Sequence, residues 1–168
     1  MGRPANRAPG PSLMLDDAYS TRMLALAGDI PRLGRLSPEG EGAFGSARRV
    51  SRLCGSTLTA DLRLRDGRVA EHAQEVEACA LGRAAASIVA RNAVGADRDE
   101  LRAARDVAAH VLETGEAPDL SLLPEGKWAD IALLASLKDY RARHGSVMLA
   151  FEAALEAAET AGTEPADA

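Results

Sequence analysis

Residues 54–82 read C-G-S-T-L-T-A-D-L-R-L-R-D-G-R-V-A-E-H-A-Q-E-V-E-A-C-A-L-G. Leu58, Ala60, Leu62 and Leu64 alternate with Thr57, Thr59, Asp61, Arg63 and Arg65. That period of two describes a strand with one buried face and one wet face. Asp66-Gly67 is a two-residue hairpin turn, since both positions tolerate positive φ. On the return strand, Arg68 to about Ala78, Val69 and Ala73 point one way while Val76 and Ala78 point the other, which implies a bulge or register change near Gln74. After Cys79, the spacing of Ala80, Leu81, Ala84, Ala85, Ile88 and Val89 predicts a helix to about Asn92, stopped by Gly95. Cys54 and Cys79 are the only cysteines in the 168 residues. A hairpin returns its second strand beside its first, so the flanking thiols are drawn toward one end of a small sheet.

Working outward, residues 1–11 hold three prolines and two glycines and almost nothing to bury, which reads as a disordered tail. A helix is expected from Ser12 to about Ala27, with Ser12 as its cap, Met14, Ala18, Met23 and Leu24 as apolar surface, and Gly28 as its stop. Residues 30–45 read as a loop, and Ser46–Ser51 as a first strand. Downstream, Asp97 caps a helix with Leu101, Ala104, Ala108, Val111 and Leu112 inward, ended by Gly115. A further helix is expected from about Lys127 to Tyr140, then a link over Arg141–Gly145. A last helix starts near Ser146 and buries Val147, Phe151, Ala154, Leu155 and Ala158. Residues 12–159 form a single domain, and 160–168 a second disordered tail. One helix, a short run of strands and four more helices make the class α+β, with helices packed mainly on one face of the sheet.

Composition narrows the function. With 46% hydrophobic and 27% charged residues the chain is an ordinary globular domain. Its net charge of −5 argues against a duplex-binding surface, so no nucleic-acid partner is expected. Apolar runs are too short for a membrane span or a secretory signal, so no membrane partner is expected and a soluble, cytoplasmic protein is. In that compartment thiols stay reduced, and two cysteines read as reactive, ligating or merely buried rather than as a structural disulfide.

Cys79 directly precedes a helix, where backbone N–H groups and the helix dipole favour the thiolate; it equally suits a small buried hydrophobe at a strand–helix junction. Cys54 precedes Gly55 in a turn, or is an incidental loop cysteine. Their spacing matches no zinc-finger pattern, so further ligands must come from elsewhere. His144, in the turn before the last helix, is the better third ligand. His72 reads as solvent-facing, and His110 as a surface group near a helix C-terminus. No Cys–His–Asp order or oxyanion motif stands out, so an enzyme that uses a cysteine nucleophile is the least favoured reading.

The run C-G-S-T-L-T-A-D-L-R-L-R-D-G-R-V-A-E, then C-A-L-G-R-A-A-A-S, resembles the NifU/IscU/SufU family of iron–sulfur cluster scaffolds. The resemblance extends from about Tyr19 to Leu155, through A-G-D-I-P-R-L-G and the closing R-H-G-S-V-M-L-A-F-E-A-A-L. It implies a three-stranded antiparallel sheet and a cluster built near one end of it on three cysteines with an acidic residue nearby. It also implies a cysteine desulfurase as sulfur donor and cluster-acceptor proteins as partners. Here Ser56 stands where the family has Asp, and Ser146 where it has the third cysteine. A hydroxyl is a far poorer ligand for soft iron or zinc than a thiolate. The expected site is therefore Cys54, Cys79 and His144, with Ser146 beside them, holding an iron–sulfur cluster. The alternative is a degenerate member that binds zinc or partner proteins without cluster assembly.

Overall fold

The computed structural model describes residues 11–163, with side-chain placement over residues 20–162. Helix α1 (Pro11–Gly28) leads into strands β1 (Ala43–Val50), β2 (Thr57–Arg65) and β3 (Arg68–Glu77). Helices α2 (Ala80–Asn92) and α3 (Arg98–Thr114), a 3₁₀ helix (Ala129–Leu137) and helix α4 (Arg141–Thr163) follow. The strands form one antiparallel sheet in the order β1-β2-β3. The class is α+β, as the pattern of elements predicts.

The hairpin closes through a turn in which both Asp66 (φ 53) and Gly67 (φ 77) are left-handed. Leu58, Ala60, Leu62 and Leu64 are all buried against the helical layer, beneath α4. A bulge does interrupt the hairpin, but at Ala70 rather than near Gln74: Leu64 pairs with Val69, and Arg63 already with Glu71. The extra residue flips parity, so Val69 shares the helix-facing side with His72, Gln74 and Val76, whose partners are Leu62, Ala60 and Leu58. His72 is consequently buried, not solvent-facing, and among the described residues neither ring nitrogen finds a hydrogen-bond partner.

The second face of β2 is wet only in part, with Arg65 exposed and Thr57 and Thr59 half-buried. Residues 29–42 fold back over it, and Asp61 and Arg63 are buried beneath them. Asp61 accepts from Arg35 Nε (2.6 Å), Arg35 Nη2 (3.2 Å), the Leu36 backbone N–H (3.0 Å) and Ser46 Oγ (2.6 Å). Arg63 donates to the carbonyls of Ser37 and Glu39 and to Glu71. The loop also borders the β3 edge, with Gly34 N–H on Gln74 O and Gln74 N–H on Arg32 O. Buried charges persist only where such donors and acceptors meet them.

In the helical half, Asp97 caps α3 by accepting from the Glu100 N–H at 2.8 Å, and Gly115 (φ 70) ends it. The segment expected as a helix over Lys127–Tyr140 is a 3₁₀ helix over Ala129–Leu137, entered through left-handed Trp128 (φ 65). Helix α4 begins at Arg141, so the expected link over Arg141–Gly145 is helical. It buries Val147, Phe151, Ala154, Leu155 and Ala158 and runs on to Thr163, so residues 160–163 are not tail. Met23 is buried while Leu24 is 65% exposed. Residues 1–10 and 164–168, most of the two expected tails, and the side chains of Ser12, Met14 and Ala18 lie outside the described residues. Among the described residues no helix is long and apolar enough to cross a membrane.

Candidate functional site

Three elements meet at the end of the sheet where β2 starts and β3 finishes. The first is the turn between β1 and β2, closed by the Ser51 N–H on Ser56 O (2.8 Å) and the Gly55 N–H on Ser51 O (2.9 Å). Gly55 is left-handed there (φ 70), a conformation glycine reaches without a Cβ clash. The turn lifts Cys54 into solvent over two buried hydroxyls, Ser56 Oγ at 3.0 Å from its sulfur and Ser51 Oγ at 3.4 Å. Hydrogen bonding with Ser51 and Ser56 lowers the Cys54 thiol to about 7, with a smaller contribution from Ser146. A large thiolate fraction is thus present at neutral pH.

The second element is the start of α2. Cys79 occupies the N-cap position with extended backbone (φ −66, ψ 171), and its sulfur makes no capping hydrogen bond. Burial, the largest single influence, pushes its thiol upward. The nearby N–H groups of Gly82 and Leu81, the Ser146 hydroxyl and the charge of Arg143 outweigh it, and the net direction is down.

The third element is α4, which carries the buried Ser146. Its hydroxyl donates to Ser56 Oγ at 3.1 Å and lies 3.6 Å from Cys79 Sγ. Cys54, Ser56, Ser146 and Cys79 therefore form one continuous line of polar contacts. Gly82 makes this possible: a Cβ at that position would lie 2.5 Å from Ser146 Oγ and 3.2 Å from its carbonyl. Gly145 plays the same part toward the turn, where a Cβ would stand 3.1 Å from Ser51 Oγ.

His144 does not join the line. Its Nε2 contacts the Leu137 carbonyl at 2.8 Å, which ties the imidazole to the 3₁₀ helix. Among the described residues no group of three His, Cys, Asp or Glu side chains is arranged to hold a metal ion. His110 is a surface group paired with Glu116. Ser51, Gly82 and Gly145 are structural members of the site that the sequence reading left out. The glycine in C-A-L-G, placed one turn after Cys79, was the available signal for a close helix–helix approach.

Comparison with known proteins places this geometry in context. No protein-family model and no curated protein sequence matches the chain. Among solved structures, a NifU-like protein (N-terminal) from Brucella abortus shares 41% identity, with a TM-score of 0.75 over 90% of this chain and 99% of that one. A candidate iron–sulfur cluster assembly scaffold for the SUF system of Fervidobacterium islandicum is 17% identical, with a TM-score of 0.69 over 83% of this chain and 96% of that one. A protein of unassigned function is also 17% identical, with a TM-score of 0.69 over 85% of this chain and 97% of that one. These last two show a shared fold. Identity of 41% across nearly the whole of both chains shows more, and the chain belongs to the NifU/IscU/SufU-like family, as a protein of the NifU N-terminal type.

Proposed function

We propose that the protein is an iron–sulfur cluster assembly scaffold that accepts iron and sulfur at Cys54 and Cys79. The observation that carries this reading is the line Cys54–Ser56–Ser146–Cys79, which brings two activated thiols from separate elements to one end of the sheet. Thiolates are the soft ligands that iron–sulfur clusters take. With hydroxyls at Ser56 and Ser146 the cargo has only two strong protein ligands, so it is held loosely. That suits transfer to acceptor proteins better than storage. Sulfur would come from a cysteine desulfurase and the finished cluster would go to acceptor proteins, in the cytoplasm. Exposed Arg52 beside Cys54 and exposed Arg143 near Cys79 offer positive charge to an anionic cluster.

His144 could enter as a third ligand only by giving up the Leu137 carbonyl. Zinc is a weaker fit, because a closed tetrahedral site needs four ligands and no three gather here among the described residues. That same shortage favours the second reading, a family member that binds partner proteins without building clusters.

Anaerobic incubation with ferrous iron and inorganic sulfide separates the two. The scaffold reading expects visible absorbance and acid-labile sulfide that disappear in Cys54→Ala and in Cys79→Ala. A protein that stays colourless with no bound sulfide overturns it. Ser146→Cys should raise cluster occupancy by about twofold or more, by supplying a third thiolate.

A further inference from the structure

We infer that Cys54 and Cys79 act as a redox dithiol, in which a sulfane sulfur carried on Cys54 is expelled as sulfide when Cys79 closes a disulfide onto it. The inference rests on the reading of this site as a sulfur acceptor and adds how sulfur delivered in the sulfane state becomes the sulfide a cluster contains.

Three features of the geometry support it. The two sulfurs are linked through the hydroxyls of Ser56 and Ser146, by contacts of 3.0, 3.1 and 3.6 Å. Their surroundings differ in the useful direction, with Cys54 exposed and Cys79 partly buried behind it. Displacement at sulfur is in-line, so a nucleophile coming from the protein side sends the leaving group to solvent. The turn that carries Cys54 is short and exposed, pinned by the two backbone hydrogen bonds between Ser51 and Ser56 or Gly55. Disulfide formation needs the two Cα atoms within about 7 Å, and movement of this turn is the means of reaching that separation.

The steps balance. The Cys54 thiolate attacks the outer sulfur of an organic persulfide, R–S–SH, giving Cys54–S–SH and releasing R–S⁻. The Cys79 thiolate then attacks Cys54 Sγ. An Sγ–Sγ bond forms, the bond to the outer sulfur breaks, and its electron pair leaves on HS⁻. Two cysteine thiols are oxidised to a disulfide, and one sulfane sulfur is reduced to sulfide. An external dithiol reductant returns the disulfide to thiols for the next cycle.

The test uses the full, reduced chain with glutathione persulfide as the probe and without oxygen. Sulfide is quantified and intact mass recorded in parallel. The wild type should release about one sulfide per chain and lose the mass of two hydrogens. Cys79→Ser should keep the mass of one added sulfur and release sulfide about tenfold more slowly or worse. Cys54→Ser should neither gain sulfur nor form the disulfide. Equal release by Cys79→Ser and wild type overturns the proposal, as does a wild type that retains the added sulfur with no disulfide. Far-ultraviolet circular dichroism confirms that each serine variant is folded. Loading with iron and inorganic sulfide bypasses this step, so its failure would overturn the scaffold reading and leave the disulfide result standing by itself.

Discussion

Asp61→Asn tests whether the loop over the sheet is held by one carboxylate. Asp61 is an acceptor only, and four N–H or O–H donors converge on it: two from Arg35, one from the Leu36 backbone and one from Ser46. An asparagine amide must turn its NH₂ toward one pair of them. Facing Arg35 Nε and the Leu36 N–H it would meet two groups that cannot accept. Facing Ser46 and Arg35 Nη2 it loses only the arginine contact, because the serine hydroxyl can rotate. The second orientation wins. The bonds that remain to Ser46 and Leu36 then drop from charge-assisted strength to neutral strength, about 1 kcal/mol each. Arg35 is half exposed, so water solvates its charge, and the larger penalty for a stranded buried ion does not apply. The expected loss is about 2 kcal/mol, or roughly 4–8 °C in Tm for a chain of this size.

The loss must depend on pH. Burial pushes the Asp61 carboxyl up as the largest single influence, but the Arg35, Ser46 and Leu36 donors outweigh it and hold it below the usual range. A depressed carboxyl stabilises the fold above its unfolded value of about 4, and that contribution fades as pH falls through the folded value. Urea denaturation of wild type and variant at neutral pH and at successively lower pH reads both quantities. Equal stability at neutral pH, or a gap that does not narrow toward acid, refutes the reasoning.

Alkylation of Cys54 by iodoacetamide should rise through a midpoint of about 7, and the double change Ser51→Ala with Ser56→Ala should move that midpoint toward the ordinary thiol value. His72, buried with its imidazole lowered to about 4 by desolvation and by the charge of Arg32, disfavours the fold once the unfolded histidine is protonated. That penalty begins below the unfolded value of about 6.5 and grows until the folded value is reached. His72→Leu should therefore gain about 2 kcal/mol more at pH ~5 than at pH ~8 by denaturant titration, and an identical gain at both would refute it. Gly82→Ala places a methyl on the Ser146 hydroxyl. The helix-propensity gain of about 1 kcal/mol should be lost to overpacking of about 1–3 kcal/mol, and the rate of Cys79 alkylation should change as the hydroxyl is displaced.

The β2 alternation and the Asp-Gly turn were legible in the sequence, because a hairpin is written in local residue order. The fate of the outer face was not. Asp61 and Arg63 alternate like solvent-facing residues, and only a loop more than twenty positions earlier in the chain buries them. The bulge could be sensed from broken parity but not located, since Ala70 carries no side-chain signal of its own. Gly145 read as the last residue of a link between helices. Its lack of a Cβ instead serves contact with Ser51, and α4 runs through it from Arg141. At the site, residue identity and order pointed to Cys54, Cys79 and Ser146, which the fold does bring together. The aim of His144 depended on a carbonyl of the 3₁₀ helix, a tertiary contact with no signature in sequence.

The line of hydroxyls between the two sulfurs also has a consequence for chain entropy. Cys54 and Cys79 lie on separate elements, and Ser146 comes from far along the chain. Anything that bridges the two sulfurs ties the β1–β2 turn to the start of α2 and closes the whole hairpin as a covalent or coordinate loop. Such a cross-link removes conformations from the unfolded chain and asks of the folded one only a movement of the Cys54 turn. The loaded or oxidised protein should then need more denaturant to unfold than the empty one. Conversely, any partner that pries the Cys54 turn away from α2 would loosen cargo without touching either sulfur. The same short turn would set both how long cargo stays and how durable the fold is while it does.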